Sequence, residues 1–194
     1  MINRVCVYCA SSARIAPAYF EATARLGKRL VAEGISVVYG GGATGLMGQM
    51  ADTVLAEGGH ITGIMPHFMR EVEWAHKGLN EIHFVADMHE RKKRFLENVD
   101  GLITLPGGCG TFEELFEAMT LKRLGLFHQP IVILNVNGYY DPLKDLLARS
   151  ISEQFMSEKH GEMWTMVEQP EEVIPALRNA PEWGDGAIQF ANVQ

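Results

Sequence analysis

A glycine-rich turn followed by two acidic residues is the segment of this chain best suited to chemistry. It runs Pro106-Gly107-Gly108-Cys109-Gly110-Thr111-Phe112-Glu113-Glu114 and follows the apolar run Leu102–Leu105. Glycines let backbone amides approach a phosphate closely, and the amides that begin a helix attract anions. A carboxylate placed after such a turn can stabilise positive charge or activate water. The segment therefore predicts phosphate binding beside an acidic group, with Glu114 as that group.

Glu114 also has a purely structural interpretation. Thr111-x-x-Glu114 fits a capping box, in which the glutamate accepts a hydrogen bond from the amide that begins the helix. A carboxylate in the first helical turn is kept ionised by the helix dipole, which suits charge stabilisation better than proton donation. The predicted buried stripe leaves Glu114 facing solvent, a crevice or a second subunit. That stripe consists of Phe112, Leu115, Phe116 and Met119.

A second glycine-rich turn lies earlier, in Tyr39-Gly40-Gly41-Gly42-Ala43-Thr44-Gly45-Leu46-Met47-Gly48. Its glycines satisfy G-x-G-x-x-G, a pattern of dinucleotide-binding turns. No acidic residue ends a second strand about 20 residues later, and no G-K-[ST] is present, so the dinucleotide and P-loop interpretations are weak. Phosphate binding is still favoured over a purely structural role, with Gly42 and Thr44 as candidate contacts.

Four consecutive cations lie upstream of the later glycine turn, in Met88-His89-Glu90-Arg91-Lys92-Lys93-Arg94. At helical spacing a buried apolar stripe begins at Met88, with Lys92 within its arc and Arg91 at its flank. Cations beside an apolar seam need a counter-charge, which a phosphate or a carboxylate would supply. We therefore expect Arg91 and Lys92 to bind ligand, and the two cations that follow to be surface residues.

The two glycine-rich turns and the cationic segment can form one site only if the fold brings the ends of their neighbouring strands together. Apolar runs of strand length alternate with segments of helical periodicity, which indicates an α/β fold. Nearly continuous apolar strands predict a doubly wound, Rossmann-like parallel sheet with helices on both faces and ligands beyond its carboxyl edge. The predicted strands are Val5–Cys9, Ser36–Tyr39, His60–Ile64, Ile82–Val85, Leu102–Leu105 and Ile131–Asn135, and the predicted helices lie near Pro17–Glu33, Thr44–Glu57, Met88–Val99, Thr111–Leu124, Pro142–Gln154 and Glu171–Arg178.

Length and charge restrict the classes of protein. A chain of 194 residues, 47% hydrophobic and 21% charged, fits one domain with one core. We expect residues 1–180 to form a single nucleotide-binding domain and residues 181–194 a peripheral tail. The net charge of −7 argues against a nucleic-acid polymer as partner but not against one nucleotide. No signal peptide or long apolar run is recognisable, so we expect a cytoplasmic protein without a membrane partner.

Cysteine and histidine spacing gives no metal site. Cys6 and Cys9 form C-x-x-C, but residues three apart in a strand point to opposite faces, so both are expected to be small buried residues. The seven histidines show no spacing such as H-E-x-x-H. No metal and no cofactor are therefore expected.

The later glycine turn and its neighbours resemble the LOG (Lonely guy) family of cytokinin-activating phosphoribohydrolases, often labelled lysine decarboxylases. The turn fits P-G-G-x-G-T-x-x-E, and the segment from Met88 to Lys92 is similar to M-H-x-R-K. Residues 41–48, 117–125 and 135–143 also look like family segments. The resemblance covers roughly Val5 to Phe155.

The resemblance implies hydrolysis of the N-glycosidic bond of an adenosine 5′-monophosphate, plain or N6-modified, to free base and ribose 5-phosphate. It implies Arg91 and Glu114 as catalytic residues, no cofactor, and a homodimer whose subunits build each site together. Glu73 stands at the spacing from Arg91 where the family has a substrate-contacting glutamate. The further substrate-binding residues expected are Ser12, Gly42, Thr44, Met88, Lys92, Gly107, Gly108, Gly110, Thr111, Glu113 and Thr120.

Two other functions stay open. A non-catalytic nucleotide-sensing or cofactor-carrying module could use the same fold, because a fold does not fix a function. Such a module would need the phosphate turn but no carboxylate at the sugar. Decarboxylation with pyridoxal phosphate would need a Schiff-base lysine and a partner for the pyridinium nitrogen, and no residue stands out for either role.

Overall fold

Seven parallel strands form one sheet in the order β4-β3-β2-β1-β5-β6-β7. The computed structural model describes residues 1–70, 72 and 75–190. The strands are β1 (Arg4–Tyr8), β2 (Ser36–Tyr39), β3 (Ile61–Pro66), β4 (Glu81–Val85), β5 (Gly101–Thr104), β6 (Ile131–Leu134) and β7 (Trp164–Val167). The helices are α1 (Pro17–Ala32), α2 (Gly45–Ala56), α3 (Met88–Leu96), α4 (Cys109–Arg123), α5 (Asp141–Ser152) and α6 (Pro170–Asn179).

Helices cover both faces of the sheet, which confirms the predicted doubly wound architecture. Alternate residues of β1 enter two separate cores: Val5 and Val7 pack with α1, α2 and α6, whereas Cys6 and Tyr8 pack with α3, α4 and α5. This alternation follows from the two-residue period of a strand. It also confirms that Cys6 and Cys9 are buried on opposite faces.

The sheet reverses its direction of growth beside β1. Strands β2, β3 and β4 extend the sheet on one side of β1, and β5, β6 and β7 extend it on the other. At such a reversal the loops leaving the neighbouring strands diverge, and a crevice opens beyond their carboxyl ends. The loops after β1, β2 and β5 are therefore placed to form a ligand site.

Each predicted strand is present within two residues of its predicted bounds. The prediction is incomplete, because it did not include β7 (Trp164–Val167). That edge strand has four residues, each only partly buried, and a loop that contains a short 3-10 helix, Glu158–Glu162, precedes it. A short, half-exposed edge strand lacks the continuous apolar run by which the inner strands were recognised.

The end of the described chain packs onto α4. The Trp183 side chain, 8% exposed, donates from Nε1 to the Lys122 carbonyl at 2.6 Å. The Lys122 ammonium, itself 1% exposed, donates to the Gln129 carbonyl at 2.6 Å and lies 5.7 Å from the centre of the Trp183 ring. Within the described residues, no helix is long and apolar enough to span a membrane.

Candidate active site

A cavity of about 340 Å³ opens at the reversal point of the sheet. Its walls come from the end of β1 and the loop after it, from the residue after β2, from α3 and from the start of α4. Arg91 and Glu114 both line it, although they belong to different helices. The other predicted site residues in its lining are Ser12, Met88, Gly108, Gly110 and Thr111.

Helix α4 begins earlier than the sequence predicts, and this changes the interpretation of Glu114. Its N-cap is Gly108, with φ −96° and ψ −155°, and no side chain caps the helix. The predicted capping box between Thr111 and Glu114 is therefore wrong, since both residues lie inside the helix. Glu114 stands in the second turn, where the dipole effect invoked from the sequence has largely fallen off.

The buried stripe of α4 also differs from the predicted one. Phe116 is 40% exposed and Phe112 only partly buried, so the stripe is rotated around the helix relative to the prediction. Glu114 is half-buried and faces the cavity. The buried residues of α4 are Thr111, Leu115, Ala118, Met119 and Lys122.

The turn between β5 and α4 is tightly built. Its backbone is fixed to the central strand, because the Leu105 amide donates to the Tyr8 carbonyl at 2.9 Å. A Cβ on Gly107 would lie 2.1 Å from Thr111 Oγ1, so a side chain there would displace the threonine. The first amides of a helix have no acceptor within it. Because the start of α4 lines the cavity, these amides form a site suited to an anion.

Arg91 is a buried cation fixed by backbone carbonyls. It is 4% exposed, and it donates from Nε to the Ile64 carbonyl at 3.1 Å and from Nη2 to the Gly40 carbonyl at 2.9 Å. Its guanidinium lies 5.2 Å from the centre of the Phe95 ring. A Cβ on Gly40 would lie 2.6 Å from Arg91 Nη2, which explains why this position needs glycine. The arginine therefore presents a positive charge in a fixed orientation at the cavity wall.

The sequence predicts Lys92 within the buried stripe of α3 and Arg91 at its flank, whereas in the structure Arg91 is buried and Lys92 only partly so. The Lys92 side chain is 13% exposed and forms ion pairs with Glu113 and Glu117 of α4. Hydrogen bonds to these two carboxylates raise the pKa of the Lys92 ammonium. The predicted counter-charge is thus supplied by protein carboxylates. The next two cations, Lys93 and Arg94, are exposed as predicted.

The earlier glycine turn is locked onto the loop after β1. The Leu46 amide donates to the Ala10 carbonyl at 2.9 Å, and Thr44 Oγ1 donates to the Ser11 carbonyl at 3.0 Å. Gly45 has φ +63°, and a Cβ there would lie 2.4 Å from the Ser11 carbonyl carbon. These contacts give the start of α2 a protein acceptor in the position where a phosphate was expected.

Several predicted substrate-binding residues lie outside the cavity lining that the described residues form. Glu73 lies outside the described residues. Other residues of the lining were not predicted as site residues. Among them, Gly40, Met47 and Cys109 lie within the quoted glycine turns, whereas no sequence pattern indicated Met69. The predicted residues outside the lining are Gly42, Thr44, Lys92, Gly107, Glu113 and Thr120.

Cys9 lines the cavity as a buried thiol just after β1. Burial, and to a smaller extent the charge of Glu114, raises the pKa of the Cys9 thiol well above its ordinary value. Cys9 therefore stays protonated, as expected for a small buried residue. Within the described parts of the chain, no group of three or more His, Cys, Asp or Glu side chains is arranged to hold a metal ion.

Known proteins match this chain in sequence. The sequence model of the family described as "Possible lysine decarboxylase" matches residues 47–177. The chain is 41% identical over 155 residues to cytokinin riboside 5′-monophosphate phosphoribohydrolase LOG7 of Arabidopsis thaliana, covering 80% of this chain and 71% of that protein. The chain belongs to the LOG family. A LOG relative from Oryza sativa subsp. japonica, the cytokinin riboside 5′-monophosphate phosphoribohydrolase LOG, is 37% identical over 187 residues, covering 96% of this chain and 77% of the relative.

Solved structures with little sequence similarity share the fold of this LOG-family chain. The molybdenum cofactor carrier protein of Chlamydomonas reinhardtii has a TM-score of 0.68 at 16% identity, covering 93% of this chain and 98% of that one. The molybdenum cofactor binding protein of Rippkaea orientalis has a TM-score of 0.67 at 17% identity, covering 92% and 96%. At these identities the likeness concerns the fold alone.

Proposed function

We propose that this LOG-family protein hydrolyses the N-glycosidic bond of an adenosine 5′-monophosphate, plain or N6-modified, to free base and ribose 5-phosphate. Its relatives are named phosphoribohydrolases of cytokinin riboside 5′-monophosphates. The observation that carries the proposal is the shared cavity, in which Arg91 and Glu114 lie together with the amides that begin α4. That arrangement offers an anion site and an acidic group within one cavity.

The phosphate binds at the start of α4. Gly108, Gly110 and Thr111 line the cavity there, and amides in a first helical turn bind phosphate through hydrogen bonds and the helix dipole. Gly107 and Thr111 pack against each other and hold the turn in shape. The ribose then lies further into the cavity, towards Glu114 on the next turn of the same helix.

Glu114 acts at the sugar. As the C1′–N bond breaks, its electron pair leaves with the base, and positive charge develops on C1′ and the ring oxygen. The carboxylate of Glu114 stabilises that charge, and it accepts a proton from the water whose oxygen bonds to C1′. The departing base takes up a proton from solvent, and Glu114 returns its proton to solvent, so the products are the neutral base and ribose 5-phosphate and the carboxylate is regenerated.

Arg91 supplies a positive charge at the cavity wall. Because backbone carbonyls fix its guanidinium, it can hold substrate or the carboxylate in one geometry without reorganising during the reaction. Met88, whose sulfur lies 3.9 Å from Arg91 Nη1, completes this wall of the cavity. Ser12 lines the cavity from the loop after β1.

The protein is a homodimer whose subunits build each site together. Glu73 and the expected substrate-binding residues outside the cavity lining take part in that assembly or support residues that contact the substrate; those outside the lining are Gly42, Thr44, Lys92, Glu113 and Thr120. The substrate is a single nucleotide and not a nucleic-acid polymer. A cytoplasmic location fits the free cysteines Cys6, Cys9 and Cys109, because thiols stay reduced there.

The experiment that tests this function incubates the protein with AMP and with its N6-isopentenyl analogue. Chromatography follows the release of adenine or isopentenyladenine. We expect release of base from at least one of them, and the ratio of the two rates identifies the preferred base. Tight binding of both nucleotides without any release of base would support the nucleotide-sensing or carrier alternative instead.

A further inference from the structure

Residues 135–143 resemble a family segment but have no role in the proposed chemistry. Residues 135–140 fold as a compact turn before α5, in which Gly138 has φ +71°. The Asn135 carboxamide braces this turn, because it accepts from the Tyr140 amide at 2.6 Å and donates to the Asp141 carboxylate at 2.8 Å. The turn thereby presents two adjacent tyrosine side chains to the loop between β5 and α4.

Each tyrosine hydroxyl holds one carbonyl of that loop. Tyr139 donates to the Gly107 carbonyl at 2.5 Å, and Tyr140 donates to the Leu105 carbonyl at 2.8 Å. The two rings contact each other edge to face, with centroids 5.0 Å apart. The tyrosines thus form the same kind of hydrogen bond at two nearby points of one glycine-rich turn.

The Gly107 carbonyl matters because of the amide that shares its peptide bond. In a trans peptide the carbonyl and the following N–H point in opposite directions, and the described chain contains no cis peptide. Fixing the Gly107 carbonyl therefore fixes the N–H of Gly108, a residue that lines the cavity. A peptide between two glycines has the widest choice of conformations, so its orientation needs an outside restraint.

We propose that Tyr139 is a positioning residue for phosphate binding, whose hydroxyl holds the Gly107–Gly108 peptide with its N–H directed at the ligand. This inference rests on the proposed function, in which the phosphate of a nucleotide binds at the start of α4. Tyr140 has no such role, because Pro106 follows Leu105 and has no N–H to orient. The neighbouring tyrosine therefore provides a matched control within the same turn.

The test compares the parent protein with Tyr139→Phe, Tyr140→Phe and Tyr19→Phe. Tyr19 is a second control, because its ring packs edge-on against Tyr139 with centroids 6.0 Å apart. Calorimetry measures the Kd of ribose 5-phosphate, which has no glycosidic bond left to cleave, and the Kd of adenosine, which has no phosphate. We expect Tyr139→Phe to weaken ribose 5-phosphate binding about tenfold and to leave adenosine binding unchanged.

The controls separate positioning from general stability. Tyr140→Phe is expected to lower Tm, because it leaves a buried carbonyl without its donor, yet to retain the parent affinity for ribose 5-phosphate. Tyr19→Phe is expected to change neither. The inference is overturned if Tyr139→Phe binds ribose 5-phosphate as tightly as the parent does, or if Tyr140→Phe loses as much affinity for it as Tyr139→Phe. It is also overturned if the parent does not bind ribose 5-phosphate. A parent that binds ribose 5-phosphate through Tyr139 but releases no base from AMP or from its N6-isopentenyl analogue would overturn the proposed hydrolysis alone.

Discussion

Arg91 and Glu114 reach one cavity from two neighbouring helices on the same face of the sheet. Helix α3 carries Arg91 and helix α4 carries Glu114, and both helices pack in the core that Cys6 and Tyr8 of β1 enter. The arginine is fixed by one carbonyl within β3 and by that of Gly40, the residue after β2. The glutamate stands on the helix whose first residues line the same cavity. A cation, a carboxylate and the first amides of a helix thus meet at the carboxyl edge of one sheet.

The first prediction concerns the charge of Glu114. Because Glu114 does not cap its helix, Glu114→Gln should leave Tm almost unchanged. If the carboxylate stabilises positive charge on the ribose, the same substitution should lower kcat for AMP by roughly 10²-fold or more, about 3 kcal/mol of barrier. Steady-state kinetics and thermal unfolding measure the two effects.

A matched control for that substitution is Glu153→Gln, which removes an equal charge from an exposed ion pair with Arg149 on α5. It should retain the parent kcat. A folded Glu114→Gln protein that turns over AMP within about threefold of the parent rate would remove Glu114 from the mechanism. Loss of an acid–base or electrostatic group lowers the rate by far more than threefold.

The second prediction concerns the phosphate. The amides at the start of α4 bind the 5′-phosphate in our account, and that binding energy helps to place the ribose against Glu114. Adenosine should therefore have a kcat/KM at least about 10²-fold below that of AMP. Parallel kinetics with both substrates measure this ratio, and comparable values would show that the phosphate site has no part in catalysis.

The third prediction uses Cys109 as a reporter of ligand binding. Cys109 is exposed and lines the cavity, whereas burial and a smaller effect of Glu114 raise the pKa of both Cys6 and Cys9. Iodoacetamide should therefore alkylate the folded protein once, at Cys109, and ribose 5-phosphate should slow that reaction. Mass spectrometry of the peptides locates and times the adduct. Alkylation at an undiminished rate under saturating ribose 5-phosphate would place the ligand elsewhere, and Cys109→Ser should give no adduct.

The fourth prediction concerns Lys122 beneath the C-terminal segment. Burial lowers the pKa of its ammonium from 10.5 to about 8. Below about pH 8 the folded and unfolded chains both hold this proton, and the full cost of burying the charge applies. Between about pH 8 and 10.5 the unfolded chain binds more protons, so the contribution of Lys122 to folding becomes more favourable as pH rises.

Urea unfolding of the parent and of Lys122→Met across that range isolates this effect from other groups that titrate there. The free energy of unfolding of the parent should increase relative to that of the variant as pH rises. If the free energy of unfolding of the parent minus that of the variant stays constant or falls as pH rises, burial does not destabilise the charged form of Lys122.

The fold was predictable because its signal is local and repeated. Each inner strand is a short apolar run followed by a helical segment, and that alternation leaves few arrangements other than a parallel sheet. The position of the cavity followed from the same pattern, since ligands bind beyond the carboxyl edge. Strand β7 escaped prediction because it is short and only partly buried.

Parts of the site could not be predicted because they depend on tertiary contacts. Glycine is a poor helix former, so the sequence favoured Thr111 as the start of α4, whereas the helix begins at Cys109. Arginine is seldom buried, and nothing near Arg91 in sequence indicates that the carbonyls of Ile64 and Gly40 would hold it. The pairing of Lys92 with carboxylates of α4 likewise depends on how two helices pack.

Product analysis decides whether the glycosidic bond of a bound nucleotide is hydrolysed. AMP and its N6-isopentenyl analogue are each incubated with the parent protein in phosphate-free buffer, while chromatography measures the free base and phosphorus NMR identifies the phosphorylated product. We expect at least one of the two nucleotides to yield one ribose 5-phosphate for each base released, in amounts that greatly exceed the protein. If both nucleotides remain intact, or lose their phosphate while the base stays attached, the proposed hydrolysis is wrong.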